Sequence, residues 1–278
     1  MNVGTGTPRS VAKDMYLNGS PATAEDLLTL ALYNYGCFTS MVVDQGRVRG
    51  LELHLARLRR DSLALFDTEI DTAFVRACVR EALDGSGVEQ PVVVRVTLFQ
   101  RDFEMGRPTN RSAPDVLVTF RPAPRSPAAP MRVATTCYER DEPLLKGTAL
   151  LGQLRLRRVA QSRGFDDVLF LDASGHITEG ATWNVGFVRD REVIWPEGSV
   201  LPGTAMALLQ QTLADRGFKV GTRPVSRSEI PEFPFAFASN AVVGVRAING
   251  IDDIGLPADR ALEDELRACW LSIPFEEV

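Results

Sequence analysis

The first part of the chain alternates between helical and strand-like spacing of its apolar residues. Apolar positions recurring every three or four residues predict helices over residues 23–33, 51–65 and 71–83. The segment CFTSMVVDQGRVRGL, beginning at Cys37, predicts a strand, a turn at Asp44-Gln45-Gly46 and a return strand. Two β-branched runs, at residues 91–100 and 115–124, predict further strands.

The second part mixes short strands with two helices. We expect strands at residues 131–139, 166–172, 182–190 and 191–195, and a strand-turn-strand unit at 235–250. Helical spacing covers residues 147–164 and 206–217, each ended by a glycine. Hairpins and helices follow one another without a steady βαβ alternation, which favours an α+β fold over a doubly wound parallel sheet.

One segment has the composition of a linker. Residues 121–130 (RPAPRSPAAP) contain four prolines and no large apolar side chain. We therefore predict a smaller N-terminal domain at 1–120, a linker at 121–130 and a larger C-terminal domain at 131–278.

Composition excludes several functions. The net charge of −5 disfavours a nucleic-acid partner, and no apolar run reaches the roughly 18 residues of a membrane span. The N-terminal stretch lacks the apolar core of a signal peptide, so a cytoplasmic location is expected. The four cysteines form no CxxC pair and only two histidines are present, which opposes a metal site, a metal-dependent hydrolase or a Ser-His-Asp triad.

Lysine is scarce. Of 31 basic residues only Lys13, Lys146 and Lys219 are lysine, so few amine nucleophiles are available. Lys13 lies in a polar stretch, and Lys219 lies where a helix end runs into a strand and is expected to be solvated. Lys146 stands between apolar neighbours, and a desolvated lysine has the lowered pKa that suits imine formation. A lysine between leucines can equally extend its amine to the surface.

Two later features add possible partners for Lys146. The segment LPGTAM (201–206) predicts a turn that opens a helix, and the N–H groups at a helix N-terminus bind phosphate. Gly203 permits close approach of the backbone, and Thr204 offers a hydroxyl. Glu179, in GHITEGATWN, precedes a predicted strand. Each feature also has an ordinary interpretation, as a helix start and as a solvated loop carboxylate.

Taken together, these residues resemble the class IV aminotransferases, a pyridoxal-phosphate-dependent group that includes branched-chain aminotransferases, D-amino acid aminotransferases and aminodeoxychorismate lyase. The resemblance spans about residues 30–255 and is strongest in LLK…GFDDVLFLDASGHITEGATWNVGFV…LPGTAMALL. It implies a two-domain fold of the D-amino acid aminotransferase type, with the active site in the cleft between the domains. It also implies a homodimer in which loops of the neighbouring subunit help to close the site.

The resemblance implies roles for particular residues. Lys146 would form a Schiff base with pyridoxal 5′-phosphate and shuttle protons, and Glu179 would keep the pyridine nitrogen protonated. Arg57, in a segment that matches the family's HxxRL motif, would bind the phosphate, although it could be one of several surface arginines on that helix. Further phosphate contacts are implied for Gly203, Thr204, Ala205, Ser239 and Asn240. Many members have Ile-Thr where this chain has Thr204-Ala205, so the second hydroxyl contact to the phosphate is either missing or replaced by Thr204.

The substrate is less defined. YNYGCFTSMVV resembles the corresponding segment of aminodeoxychorismate lyases, whereas VRVTLFQRDFEMG resembles that of branched-chain aminotransferases. Candidate substrate contacts are Tyr33, Tyr35, Arg95 and Arg101. Transfer of an amino group between an amino acid or amine and a 2-oxo acid is the first hypothesis. A lyase that releases pyruvate is the second, and an inactive binding relative is disfavoured because both Lys146 and Glu179 are present.

Overall fold

The computed structural model describes residues 15–109, 112–124 and 128–278. Lys13 and residues 125–127 of the predicted linker lie outside the described residues. The earlier elements are β1 Met15–Leu17, β2 Ser20–Pro21, α1 Leu28–Tyr33, β3 Cys37–Val43, β4 Arg47–Arg49, α2 Leu51–Phe66, α3 Thr72–Ser86, β5 Val92–Phe99 and β6 Asp115–Pro122. The later ones are β7 Met131–Cys137, α4 Leu151–Ser162, β8 Asp167–Leu171, β9 Ile177–Gly180, β10 Asn184–Arg189, β11 Glu192–Pro196, α5 Thr204–Asp215, β12 Lys219–Arg223, β13 Phe235–Asn240, β14 Gly244–Ile251, β15 Ile254–Gly255, α6 Arg260–Ser272 and β16 Phe275–Glu277.

The first sheet is antiparallel, in the order β2-β1-β6-β5-β3. Because side chains alternate between the faces of a strand, Cys37 and Met41 of β3 join a buried apolar cluster with residues of α2 and α3. The intervening Phe38 and Ser40 point to the other face, together with Arg95 of β5, which pairs directly with Ser40. One face therefore forms the core, and the other forms the wall of a cavity.

The second sheet closes on itself. Strands β10-β13-β14-β7-β8-β9 follow one another, and β9 also pairs with β10 through Glu179 and Asn184, which completes a ring. Strands β11 and β12 extend from β10, and β15 pairs with β14. The pairs β7–β8, β7–β14 and β11–β12 are parallel and the others antiparallel, so the predicted α+β fold is confirmed.

Helices cover the outside of this closed sheet. Helices α5 and α6 share an apolar cluster with Trp195 and Phe237 of the strands, and α4 packs through Ala160 against Val168 and Phe170. The C-terminal strand β16 returns to pair with β4. Among the described residues, no helix is long and apolar enough to span a membrane.

The predicted helices α2 and α3 are confirmed, but two others are shorter than expected. Residues 23–33 contain a 3-10 turn at Glu25–Leu27 before α1, and α4 starts at Leu151 rather than at 147. Helix α4 starts late because residues 146–148 lie along the free edge of β3 and do not form a helical turn. Strand β6 ends at Pro122 and β7 begins at Met131. The domain division at 121–130 stays a prediction.

Candidate active site

A cavity of about 680 Å³ lies between one end of the closed sheet and the face of the first sheet that carries Phe38, Ser40 and Arg95. Seven of the predicted residues line it, namely Arg57, Arg95, Lys146, Glu179, Gly203, Thr204 and Asn240. They come from α2, β5, the segment before α4, β9, the start of α5 and the end of β13. Residues that are far apart in sequence therefore share one enclosed space.

Both backbone groups of Lys146 are held by the earlier part of the chain. Its carbonyl accepts a hydrogen bond from Phe38 N at 2.9 Å, and its N–H donates to Asp61 Oδ2 at 3.1 Å. Thr148 N donates to Gly36 O at 2.9 Å, which continues the pairing along β3. The side chain turns into the cavity, with Nζ 5.0 Å from the centre of the Phe38 ring, and does not extend to the outer surface.

The electrostatics favour a neutral amine at this position. Shielding from water lowers the pKa of Lys146 to about 7, and the charges of Arg57 and Arg140 act in the same direction. Glu179 opposes this shift only in part. By contrast Lys219 is 79% exposed and forms an ion pair with Glu192, as expected for a solvated lysine.

Glu179 is a buried carboxylate on β9, not a solvated loop residue before a strand. Oε1 accepts from Arg140 Nε at 2.5 Å and Oε2 from Leu201 N at 3.3 Å. Burial raises the pKa of Glu179, and the Arg140 charge limits that rise. Sequence reasoning missed Arg140, because CYERDEP lacks any periodic pattern that would single it out.

The start of α5 has the features of an anion site. Of the six buried side-chain polar atoms without a hydrogen-bond partner among the described residues, three belong to predicted phosphate contacts, namely Arg57 Nε, Thr204 Oγ1 and Ser239 Oγ. The first N–H groups of any helix also lack partners within the helix. A Cβ on Gly203 would overlap with Asn184 Oδ1, so only glycine fits there. Unsatisfied buried donors are costly, and a phosphate would satisfy them.

Arg57 reaches this site from α2. Its Nη2 donates to the Pro202 carbonyl, so the guanidinium lies against the turn before α5. Burial lowers the pKa of Arg57 to about 10. Three residues earlier, the buried His54 contacts Thr39 Oγ1 through Nδ1 at 2.6 Å, and burial lowers its pKa to about 3. The histidine of the H-x-x-R segment is therefore neutral near pH 7 and lies within the same buried face of the helix.

Two predicted phosphate residues lie differently from the others. Ala205 is buried in the apolar cluster beneath α5, so only its backbone N–H can reach an anion. Ser239 is fully buried and does not line the cavity, although its hydroxyl is unpartnered among the described residues. Asn240 lines the cavity and organises its rim, because Oδ1 accepts from Val242 N and Val243 N at 2.9 and 3.0 Å.

Three predicted substrate contacts do not reach the cavity of this chain. Tyr33 is 42% exposed, and Tyr35 stacks on Phe103 and donates its hydroxyl to Leu65 O at 2.8 Å. Arg101 lies beyond the end of β5 and forms ion pairs with Asp26 and Asp115, both at 3.1 Å. Arg101 is six positions beyond Arg95, and the strand from Arg95 to Phe99 alone spans about 13 Å. Within this chain, Arg95 remains the substrate candidate that faces the cavity.

Arg95 occupies the first-sheet wall of the cavity. Its guanidinium carbon lies 3.6 Å from the centre of the Phe38 ring, and Nε donates to Thr97 Oγ1 at 3.2 Å. Burial, followed by the charge of Arg121, lowers the pKa of Arg95 to about 10. Within the described ranges, no carboxylate forms an ion pair with Arg95.

A polar network supports the opposite wall. Arg157 of α4 donates to both oxygens of Asp167 at 2.9 Å and to Thr182 Oγ1 at 2.7 Å. Trp183 Nε1 also donates to Asp167 Oδ2 at 2.9 Å. This network fixes the turn between β9, which carries Glu179, and β10. Across the described parts of the chain, no cluster of three or more His, Cys, Asp and Glu side chains could hold a metal ion.

This α+β fold is shared with known transaminases. Over 87% of this chain and 86% of the other, it is similar to a fold IV transaminase from Curtobacterium pusillum, with a TM-score of 0.75 and 26% identity. The fold also matches a hypothetical aminotransferase from Mycobacterium tuberculosis in its PLP-bound form, with a TM-score of 0.78 at 20% identity over 93% and 99% of the two chains.

Sequence comparison gives the family. Residues 36–251 match the model for amino-transferase class IV, so the chain belongs to that family. A probable branched-chain-amino-acid aminotransferase of Synechocystis is 26% identical over 116 residues, which are 41% of this chain and 38% of the relative. Branched-chain-amino-acid aminotransferase 1 of Arabidopsis thaliana is 32% identical over 102 residues, 35% of this chain and 27% of the relative. The matched stretches thus span less than half of these curated relatives.

Proposed function

We propose that this chain is a pyridoxal-phosphate-dependent aminotransferase that moves an amino group between an amino acid or amine and a 2-oxo acid. The observation that carries the proposal is the shared cavity, in which a lysine amine of lowered pKa, a buried carboxylate and unpartnered donors at a helix N-terminus meet. Membership of the class IV family supports it.

The donor set fits the cofactor. Arg57, the N-terminal N–H groups of α5 and the hydroxyl of Thr204 would hold its phosphate, at the turn that Gly203 forms before α5. When bound, pyridoxal phosphate supplies an aldehyde that links to amines and a ring that accepts electrons from the substrate Cα. Glu179, paired with Arg140, would hold a proton on the ring nitrogen.

Lys146 has two tasks in this proposal. Its neutral amine would anchor the cofactor, and once released it would take up the proton from the substrate Cα and return it. A pKa of about 7 suits both tasks, since the amine can accept and return a proton near neutral pH. Arg95 would bind the substrate carboxylate, and the Phe38 ring beneath it limits access of water.

The neighbouring subunit would complete the site. Leu144 is 62% exposed and Leu151 81% exposed, on the segment that carries Lys146. Exposed leucines at both ends of this segment suit a protein interface, so we infer that a second copy of the chain covers them. Light scattering on the eluted protein should give twice the chain mass, and an active monomer would contradict this inference.

The predicted linker at 121–130 would join the two halves of each subunit.

Two measurements test the proposal. The purified protein with pyridoxal phosphate should absorb in the visible range, and borohydride should fix the label on Lys146; a protein that stays colourless overturns the assignment. Amino donors are then screened with a 2-oxo acid acceptor. Amino transfer requires the acceptor, whereas a lyase would release pyruvate from aminodeoxychorismate without one.

A further inference from the structure

The segment that carries Lys146 is anchored by a buried carboxylate on another element. Asp61 of α2 is fully buried, and its Oδ2 accepts the Lys146 N–H at 3.1 Å. Its Oδ1 accepts two hydrogen bonds from Arg60, from Nε at 2.9 Å and from Nη2 at 2.7 Å. The same Arg60 Nη2 donates to the Leu144 carbonyl at 2.8 Å. The Arg60–Asp61 pair thus contacts the lysine segment at two backbone positions.

Asp61 holds a backbone group of Lys146 that pairing with β3 leaves free. Strand β3 is at the edge of the first sheet, and residues 146–148 lie along that edge through a bridge between Cys37 and Gly147. Hydrogen bonds on the β3 side fix the Lys146 carbonyl, whereas Asp61 fixes its N–H. With both groups held, the backbone orientation that aims the side chain into the cavity is set from outside the segment.

Helix α2 carries the phosphate candidate as well. Arg57 and Asp61 are four residues apart, which places them on one face of the helix. Arg57 contacts the turn before α5, and Asp61 contacts Lys146. One rigid element therefore sets the spacing between the phosphate site and the amine.

We propose that Asp61 is a positioning residue that holds the Lys146 backbone so that its amine meets the carbonyl carbon of a cofactor whose phosphate is held by Arg57. This inference rests on the proposed function. It assigns no chemical step to Asp61, which lies outside the cavity lining and acts only through Lys146.

Comparing the affinities for pyridoxal phosphate and pyridoxamine phosphate tests whether Asp61 positions Lys146 or only stabilises the fold. Both carry the phosphate, but only the aldehyde of pyridoxal phosphate can link to Lys146. Calorimetric titration of full-length protein freed of cofactor should show Asp61→Ala weakening pyridoxal phosphate binding about tenfold, the size of one buried charge-assisted hydrogen bond. Pyridoxamine phosphate binding should stay within about twofold of the unaltered protein, a change smaller than one such bond. Equal weakening of both ligands, or of neither, overturns the proposal.

A second variant and a direct probe cover the case in which Asp61→Ala does not fold. Asp61→Asn keeps the side-chain volume, but its single amide oxygen can accept from Arg60 or from Lys146 and not fully from both. Pyridoxal phosphate binding should therefore again weaken more than pyridoxamine phosphate binding, by a smaller factor than in Asp61→Ala. Hydrogen exchange in the cofactor-free protein should speed up at the Lys146 amide in both variants. Unchanged exchange there contradicts the anchor whatever the cofactor results show.

Arg59→Gln is the matched control. Arg59 lies on the same helix, and its side chain is 61% exposed in an ion pair with Glu69. Its loss should leave both ligands and the Lys146 amide unaffected. If the unaltered protein binds no pyridoxal phosphate while exchange at Lys146 still depends on Asp61, the proposed function fails and the anchor stands.

Discussion

The two walls of the cavity are built differently. The closed-sheet wall presents Glu179 and the start of α5, and Lys146 enters the cavity from the segment along the edge of β3; these are the groups able to bond, protonate or hold a cofactor. The first-sheet wall presents Phe38 and Arg95, an aromatic surface and a cation without a carboxylate partner among the described residues. In the proposed function, the chemistry falls to Lys146 and the closed-sheet wall, and substrate recognition falls to the first-sheet wall. Substitutions on the two walls should have separable effects on kcat and KM.

The largest effect is expected at Lys146. Lys146→Ala removes the amine that anchors the cofactor and moves the proton, so kcat should fall by at least about 10³-fold. Borohydride should then fix no label on the chain. Lys219→Ala is the control, because that exposed lysine lies outside the cavity, and it should leave activity unchanged. Labelling of Lys146→Ala at another lysine would contradict the assignment.

Glu179 should come next. Glu179→Gln keeps the shape but removes the charge that holds the ring proton, so kcat should fall by about 10²–10³-fold. Cofactor binding should be largely retained, since the phosphate contacts remain. Steady-state kinetics at saturating cofactor measure this, with Glu192→Gln as a surface control. An unaltered kcat would remove Glu179 from the proposed chemistry.

Attachment of the cofactor should depend on pH in a defined direction. The pKa of Lys146 is lowered to about 7, so the reactive neutral amine predominates above that pH and disappears below it. The rate at which cofactor-free protein takes up pyridoxal phosphate should therefore rise about tenfold per pH unit below that value and level off above it. Stopped-flow absorbance gives the profile. A profile that climbs until about pH 10.4, the value of a solvated lysine, would contradict the desolvated amine.

The first-sheet wall should show a different signature. Arg95→Gln removes a charge-assisted contact to the substrate carboxylate, so KM should rise about tenfold while the absorption spectrum of the bound cofactor stays the same. Arg101→Gln should change neither, because Arg101 pairs with Asp26 and Asp115 outside the cavity. If Arg101→Gln raised KM as much as Arg95→Gln, the exclusion of Arg101 would be wrong.

The sequence predicted correctly those helices and strands whose stabilising residues lie within the element itself. Helices α2 and α3 follow from apolar spacing, and Asp71 caps the start of α3 through the Ala73 N–H. Strand β5 follows from its β-branched run. Residues 147–150 did not form the expected helix, because the Lys146 carbonyl and the Thr148 N–H pair with Phe38 and Gly36 instead of bonding within a helix. The free energy that helical propensity contributes per residue is small, so such tertiary hydrogen bonds override it.

The candidate site was predicted in part. Lys146 stood out by scarcity, and Glu179, Gly203 and Arg57 by their order and spacing along the chain. Arg140 could not be found this way, because its partner Glu179 lies 39 residues away and no local pattern connects them. Tyr35 and Arg101 do not line the cavity of this chain, because their side-chain partners come from elsewhere in the fold, and their roles in substrate binding stay predictions.

By itself the sequence determined the kinds of group available, their order, and the alternation that sends Phe38 and Arg95 to one face and their neighbours to the core. Tertiary structure alone decided which of these groups meet. The amine of Lys146 is desolvated because α2, β3 and β9 surround it, and its backbone is held by Asp61 from 85 residues away. Burial and long-range hydrogen bonds are properties of packed elements, and no spacing along the chain encodes them.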